Sequence, residues 1–252
     1  MNDSVDLRNL LIAWPYDAEN DTRIVLGDDG RQVLQVRTPL GIEQFELDGR
    51  PDGSRPHGMG SALEYQLSRL EKATQASENP TFSIGSSDCI ELFNESTLYY
   101  FRYVRLFQLR DWARTIRDTD RNIRVFDLIR RYAEREEDRL FLEKWRPYVV
   151  RVKATATAMH ATEKKDFDAA VRTIKDAISA IEAMDEQDDE TFKFERERSL
   201  TALRDLNTQI QRDRPLSQLE KLEHQLRRAI ERQEFERAAE LRDKIKAAKT
   251  HH

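Results

Sequence analysis

Past residue 60 this chain has almost no helix breakers. It holds 8 glycines and 7 prolines in 252 residues, and most of both fall before that point. Gly and Pro are the strongest local interruptions of regular structure, so the remainder is free to form long helices. Charged residues make up 35% and hydrophobic residues 38%. Mean hydropathy is -0.77. That balance suits a heavily solvated helical protein more than one built around a large compact core. The expected fold class is mainly α, with a small N-terminal α+β element, a helical-hairpin array and a C-terminal antiparallel helical hairpin. Length sets a prior of one or two domains. The segment boundaries expected from breakers and periodicity are 1–80, 87–211 and 216–249.

The first segment predicts a short helix over 5–14, stopped by Pro15. Three strand-like runs follow, Arg23 to Leu26, Gln32 to Arg37 and Ile42 to Leu47. Asp28, Asp29 and Gly30 supply hairpin chemistry between the first two. A three-stranded antiparallel meander this small needs a helix on one face. The helix expected over 59–77, with Ala62, Leu63, Leu67 and Leu70 on its apolar side, is the candidate.

Between meander and helix runs a loop from Asp48 to Gly58, with two Arg-Pro pairs, two Asp-Gly pairs and His57. Arg50, Arg55 and His57 could clamp an anion beside the N-terminus of the next helix, where backbone NH groups favour negative charge. The simpler reading is successive turns, with an arginine paired to Asp48 or Asp52.

From Ser87 the chain reads as wholly helical, with Ser86 or Ser87 as the cap. Asp111 with Trp112 echoes Asp166 with Phe167: each is an acid, then an aromatic, at a corner between two helices. The aromatic is expected to fill the gap where the helices meet. This resembles tetratricopeptide-type hairpins, although the echo is about 55 residues apart against a family period of 34. Tyr99, Tyr100, Arg102, Tyr103 and Arg105 form an aromatic-basic cluster that could hold a peptide or a base. Inward packing of Tyr100, Tyr103, Val104 and Phe107 is the favoured reading. Helix resumes over 191–211, with Phe192, Phe194, Leu200, Leu203, Leu206 and Ile210 apolar.

After Pro215 comes a helical pair. Ser217 with Glu220 makes a capping box. Leu219, Leu222, Leu226 and Ile230 form one stripe, and Ala238, Ala239, Leu241 and Ile245 the facing one. Phe235 is expected to plug the corner. Two helices of this length cannot bury a sufficient core alone, so the pair needs a second surface. The stretch from Leu222 to Lys249, with its Glu-Phe, Ala-Ala and Leu-Arg-Asp-x-Ile pattern, resembles the UVR motif of bacterial excinuclease subunits. That motif also occurs in Clp-type unfoldases and in the activator of protein arginine kinase. The resemblance implies a protein contact, made by Leu222, Leu226, Ile230, Phe235, Leu241 and Ile245. It implies a bacterial source and, as partner, a Clp-type unfoldase, an excinuclease subunit or another UVR hairpin, self-association included.

Several chemistries lack their residues. There is no Walker-type phosphate loop and no His-Glu-x-x-His helix. Cys89 stands alone, without a disulfide or zinc partner. Asp88 and Glu91 beside it would raise its thiol pKa. No metal or cofactor is expected, and no enzyme. The net charge of -5 argues against a nucleic-acid footprint. No apolar run suits a membrane helix, and the N-terminus carries acids where a secretory signal carries bases. A cytoplasmic scaffold or adaptor is the expectation. The alternative is an accessory of nucleotide excision repair that contacts excinuclease subunits or DNA through Arg227, Arg228, Arg232 and Arg237.

Overall fold

The computed structural model describes residues 6–76, 81–215 and 218–250. They divide into two compact units, one up to Thr208 and one from Gln209. The expected segment 87–211 runs slightly past the end of the first unit. The fold is mainly α with one small sheet, as the pattern of breakers predicts.

A short helix, α1 (Arg8–Ala13), precedes the sheet and buries none of its residues. Strands β1 (Thr22–Leu26), β2 (Gln32–Thr38) and β3 (Gly41–Glu46) form an antiparallel meander in the order β1-β2-β3. Ile24, Leu34 and Phe45 stand opposite one another across the three strands. Side chains alternate along a strand, so these share one face with Val36 and Leu47. That face is closed by Leu106.

Leu106 lies on α3 (Ser86–Gln108), so the sheet packs on this helix. This corrects the expectation that the helix after the loop would cover it. That helix, α2 (Ala62–Ala76), turns Ala62 and Leu63 instead into a cluster with Leu92, Val125, Phe126 and Ile129. Periodicity gives a helix its apolar face but not the surface that covers it. Ser86 does not cap α3. Its hydroxyl donates to Asp138 Oδ2 (2.9 Å), and Gly85 is the cap residue.

The remaining helices of this unit are α4 (Trp112–Tyr132), α5 (Glu136–Phe141), α6 (Arg146–Glu163), α7 (Phe167–Glu182) and most of α8 (Glu190–Asp213). Helix α3 packs on α4, α4 on α6 and α6 on α7. The last two helices are α9 (Gln218–Glu231) and α10 (Phe235–Thr250).

Three corners share one geometry. Arg110, Lys165 and Gln233 each adopt a left-handed backbone, with φ of 58°, 63° and 59°. At each corner two amides bond back to carbonyls of the preceding helix. For the first, Asp111 donates to Leu106 O and Arg110 to Phe107 O. Asp166 and Lys165 repeat the pattern on Ala161 and Thr162, as Glu234 and Gln233 do on Ala229 and Ile230. This is the Schellman ending, which leaves the last carbonyls satisfied. Asp111 and Asp166 then cap the next helix, accepting from the amides of Arg114 (3.2 Å) and Ala169 (2.9 Å). The internal echo is thus a repeated stop-and-restart signal.

Glycine is the usual residue at the left-handed position, because a Cβ costs energy there. Lys165 is exposed. Lys165→Gly is expected to stabilise the protein by about 0.5–1 kcal/mol, read as a higher urea midpoint at unchanged slope.

The aromatic after each acid varies in burial. Trp112 is buried, packs edge-on against Phe107 at 5.4 Å and donates through Nε1 to Glu163 Oε1 (2.6 Å). Phe167 is half-buried. Phe235 is 71% exposed, which corrects the expectation that it plugs its corner.

Candidate functional site

The C-terminal hairpin holds its helices together with very little. Its buried cluster is Ala229, Ala238 and Leu241, with Leu222 and Leu226 partly buried against it. Ala229 and Ala238 let the two backbones approach, while Leu222, Leu226 and Leu241 fill the rest of the seam between α9 and α10. Of the six expected contact residues, Leu241 and Ile245 are buried and Leu222 and Leu226 are half-buried. Ile230 is 53% exposed, and Ala229 takes the buried place expected for it. Ala239 is exposed, and Ala238 alone of that pair is buried. Ser217 lies outside the described residues, so the expected capping box is not described.

The consequence is a corner with two large apolar side chains in solvent. Ile230 ends the last turn of α9 and Phe235 begins α10. The Gln233 amide donates to the Ile230 carbonyl and the Phe235 amide to the Gln233 carbonyl, so both flank one fixed turn. Arg237 pairs with Glu234 at 3.3 Å, while Arg227, Arg228 and Arg232 are exposed.

The loop before α2 is built differently from an open clamp. Arg50 donates to Asp52 (2.9 Å) and to Glu95 Oε2 (3.0 Å). Glu95 comes from α3, is fully buried, and accepts from the amides of Ala62 (2.7 Å) and Leu63 (3.2 Å). Arg121 contacts its other oxygen. An anion at the N-terminus of α2 is what the sequence suggests, and the protein's own carboxylate fills that place. Burial works against ionisation of Asp52, but the Ser54 amide and hydroxyl and Arg50 hold its pKa below the usual range. His57 adopts φ 52°, stacks on Tyr65 at 3.9 Å and bonds Glu91 at 2.9 Å. The Arg55 side chain is exposed, with no hydrogen bond or ion pair among the described residues. Arg50 and His57 therefore address carboxylates one turn apart on α3, and Arg55 joins neither.

Tyr99 and Arg102 are buried, and Arg105 pairs with Asp21. Tyr100 and Tyr103 instead line a cavity of about 890 Å³ in the first unit. Phe93, Phe126, Phe141, Trp145 and Tyr148 complete its aromatic wall, and Glu195 reaches it from α8. Sequence reasoning pointed at the two tyrosines but not at the cavity, because its walls come from five helices, α3, α4, α5, α6 and α8, and no local spacing links them. Cys89 is buried, and burial followed by the charges of Asp138 and Asp88 pushes its thiol up to about 11. No cluster of metal-ligating side chains occurs among the described residues. None of the described helices is long and apolar enough to cross a membrane.

The segment from Gln218 to Thr250 is thus a self-paired helical hairpin with an apolar corner, a form suited to protein contact. Residues 217–250 match the family described as the UvrB/uvrC motif, so the hairpin is a UVR motif. UVR motifs mediate protein interactions and are known in DNA-repair settings. Nothing among the curated proteins or the solved structures matches the chain.

Proposed function

We propose that this protein is a non-enzymatic adaptor that binds a partner protein through the corner of its UVR hairpin. The observation that carries this reading is the exposure of Ile230 and Phe235 on a corner otherwise fixed by backbone hydrogen bonds. Burying a large apolar side chain contributes about 1.5–3 kcal/mol. Exposed aromatic anchors of this kind are where interfaces concentrate their energy. Half-buried Leu222 and Leu226 extend the surface along α9. The partner classes that fit a UVR motif are a Clp-type unfoldase, an excinuclease subunit or a second copy of the hairpin.

The test compares the full chain with the double variant Ile230→Ser and Phe235→Ser. Both side chains are exposed, so the melting temperature is expected to stay within about 1–2 °C. Binding to purified unfoldase, to excinuclease subunit, or to itself by sedimentation is expected to fall by about tenfold or more. Equal binding by both proteins contradicts the reading. The repair-accessory alternative draws on the exposed Arg227, Arg228 and Arg232. It requires DNA affinity that falls steeply with salt and drops when these arginines become Gln.

A further inference from the structure

The cavity of about 890 Å³ lies within the first unit and does not involve the hairpin. Its rim is unusually apolar for solvent-facing surface. Ile90 is 55% exposed, Phe141 49%, Trp145 41% and Tyr100 40%, and all four line it. Clustered large apolar side chains around a concavity mark a binding surface. Phe93 stacks on Phe141 at 4.5 Å and Tyr100 meets Tyr103 edge-on at 5.6 Å, so the walls are pre-arranged.

Its depth carries polar atoms without partners. Glu195 is 5% exposed, and its Oε2 is buried with no hydrogen-bond donor. Arg151 Nη2 stands 3.9 Å from that oxygen, beyond hydrogen-bond reach, while Arg151 Nε donates to Ser199. Ser96 Oγ is likewise buried and unpartnered. The hydroxyls of Tyr100, Tyr103 and Tyr148 make no hydrogen bond among the described residues. A buried polar atom left unpaired costs about 1–3 kcal/mol, so a ligand that supplies donors here gains what the free protein lacks.

The charges say which ligand. Each lining acid already faces an arginine: Asp138 and Glu137 face Arg135 at 3.0 and 3.8 Å, and Glu195 faces Arg198 at 3.6 Å. Arg151 also occupies a face of Tyr148 at 5.1 Å. An added cation would meet these arginines, and an added anion the three carboxylates. The site calls for a neutral occupant.

We propose that this cavity binds an uncharged, apolar peptide segment of a partner protein, with a large side chain against Phe141 and Trp145 and a backbone N–H on Glu195 Oε2. A peptide answers the pattern better than a small apolar molecule. Its backbone alternates donors and acceptors, matching unpartnered oxygens spread along the wall. This inference stands on the first unit alone, whether or not the hairpin binds.

The experiment is a selection of random heptapeptides on the immobilised full chain, counter-selected on the variant Phe141→Ser and Trp145→Ser. Both residues are exposed, and a thermal melt checks that the variant folds. Enrichment of uncharged, apolar heptapeptides lost on the variant is expected. Calorimetry on the best synthetic peptide should then show about tenfold weaker binding after Glu195→Gln, and a comparable loss when the peptide's backbone amides are methylated. The proposal is overturned if no sequence enriches, if Lys-, Arg-, Asp- or Glu-rich peptides win, or if the counter-selection changes nothing. Binding of N-acetylphenylalanine amide as tightly as the peptide would also overturn it, by making the site one for small molecules.

Discussion

Asp118→Ala is expected to destabilise the first unit by about 3–5 kcal/mol, the cost of removing one partner from a buried ion pair. Arg102 is 1% exposed and grips Asp118 through two bonds, Nε at 2.6 Å and Nη2 at 2.8 Å. Its remaining nitrogen donates to the carbonyls of Glu46 and Gly49, at 2.7 and 2.9 Å. One guanidinium on α3 therefore joins α4 to the end of β3. Arg117 adds a bond to Asp118 at 2.9 Å. With the carboxylate gone, Arg102 keeps a full charge in a place water does not reach. The three tryptophans, Trp14, Trp112 and Trp145, all precede Thr208. Their fluorescence in urea follows this unit without the hairpin. A loss under about 1 kcal/mol would mean that water or another carboxylate replaces Asp118.

Glu95→Ala is expected to cost a similar amount, about 3–5 kcal/mol, by a different route. Here one carboxylate serves two arginines and the first turn of a helix. Its removal leaves the Ala62 and Leu63 amides without an acceptor, a loss of about 1 kcal/mol by itself. It also leaves Arg50 and Arg121 facing each other. Burial, then the neighbouring Arg50 and Arg124, already pushes the Arg121 pKa down to about 9. Glu95→Gln keeps an oxygen for one amide but removes the charge, so its urea midpoint should lie between those of Glu95→Ala and the parent. If Glu95→Ala and Glu95→Gln are equally stable, the ion pairs rather than the helix cap set the cost.

These two carboxylates show where sequence reading stopped. Asp118 and Glu95 look like two acids among 47 in a highly charged chain. Nothing in local spacing distinguishes a buried acid from a solvated one, because their partners lie across the fold. Local signals were legible where one element carries the whole physical cause. The strands follow from alternation, with Leu34 and Val36 turned inward. The Asp111 and Asp166 corners follow from an acid that caps and an aromatic that packs. The UVR hairpin follows from the spacing of Leu222, Leu226, Ala238 and Leu241.

Where two elements must meet, the pattern gave the right face and the wrong partner. The sheet met α3 rather than α2. At the hairpin corner the same grammar that buries Trp112 leaves Phe235 outside. No second aromatic such as Phe107 stands before it, and two alanines hold the helices too close for a ring between them. That departure is what turns a packing motif into a candidate contact.

The most direct measurement places a photoreactive benzoylphenylalanine at Phe235 in the full chain and irradiates it with purified unfoldase, excinuclease subunit or a tagged second copy. The same group at Leu40, which is 92% exposed in the first unit and away from the cavity lining, serves as the control. The adaptor account predicts a covalent adduct with one of these proteins from position 235 and none from position 40. Adducts from both positions alike, or from position 40 alone, would contradict it.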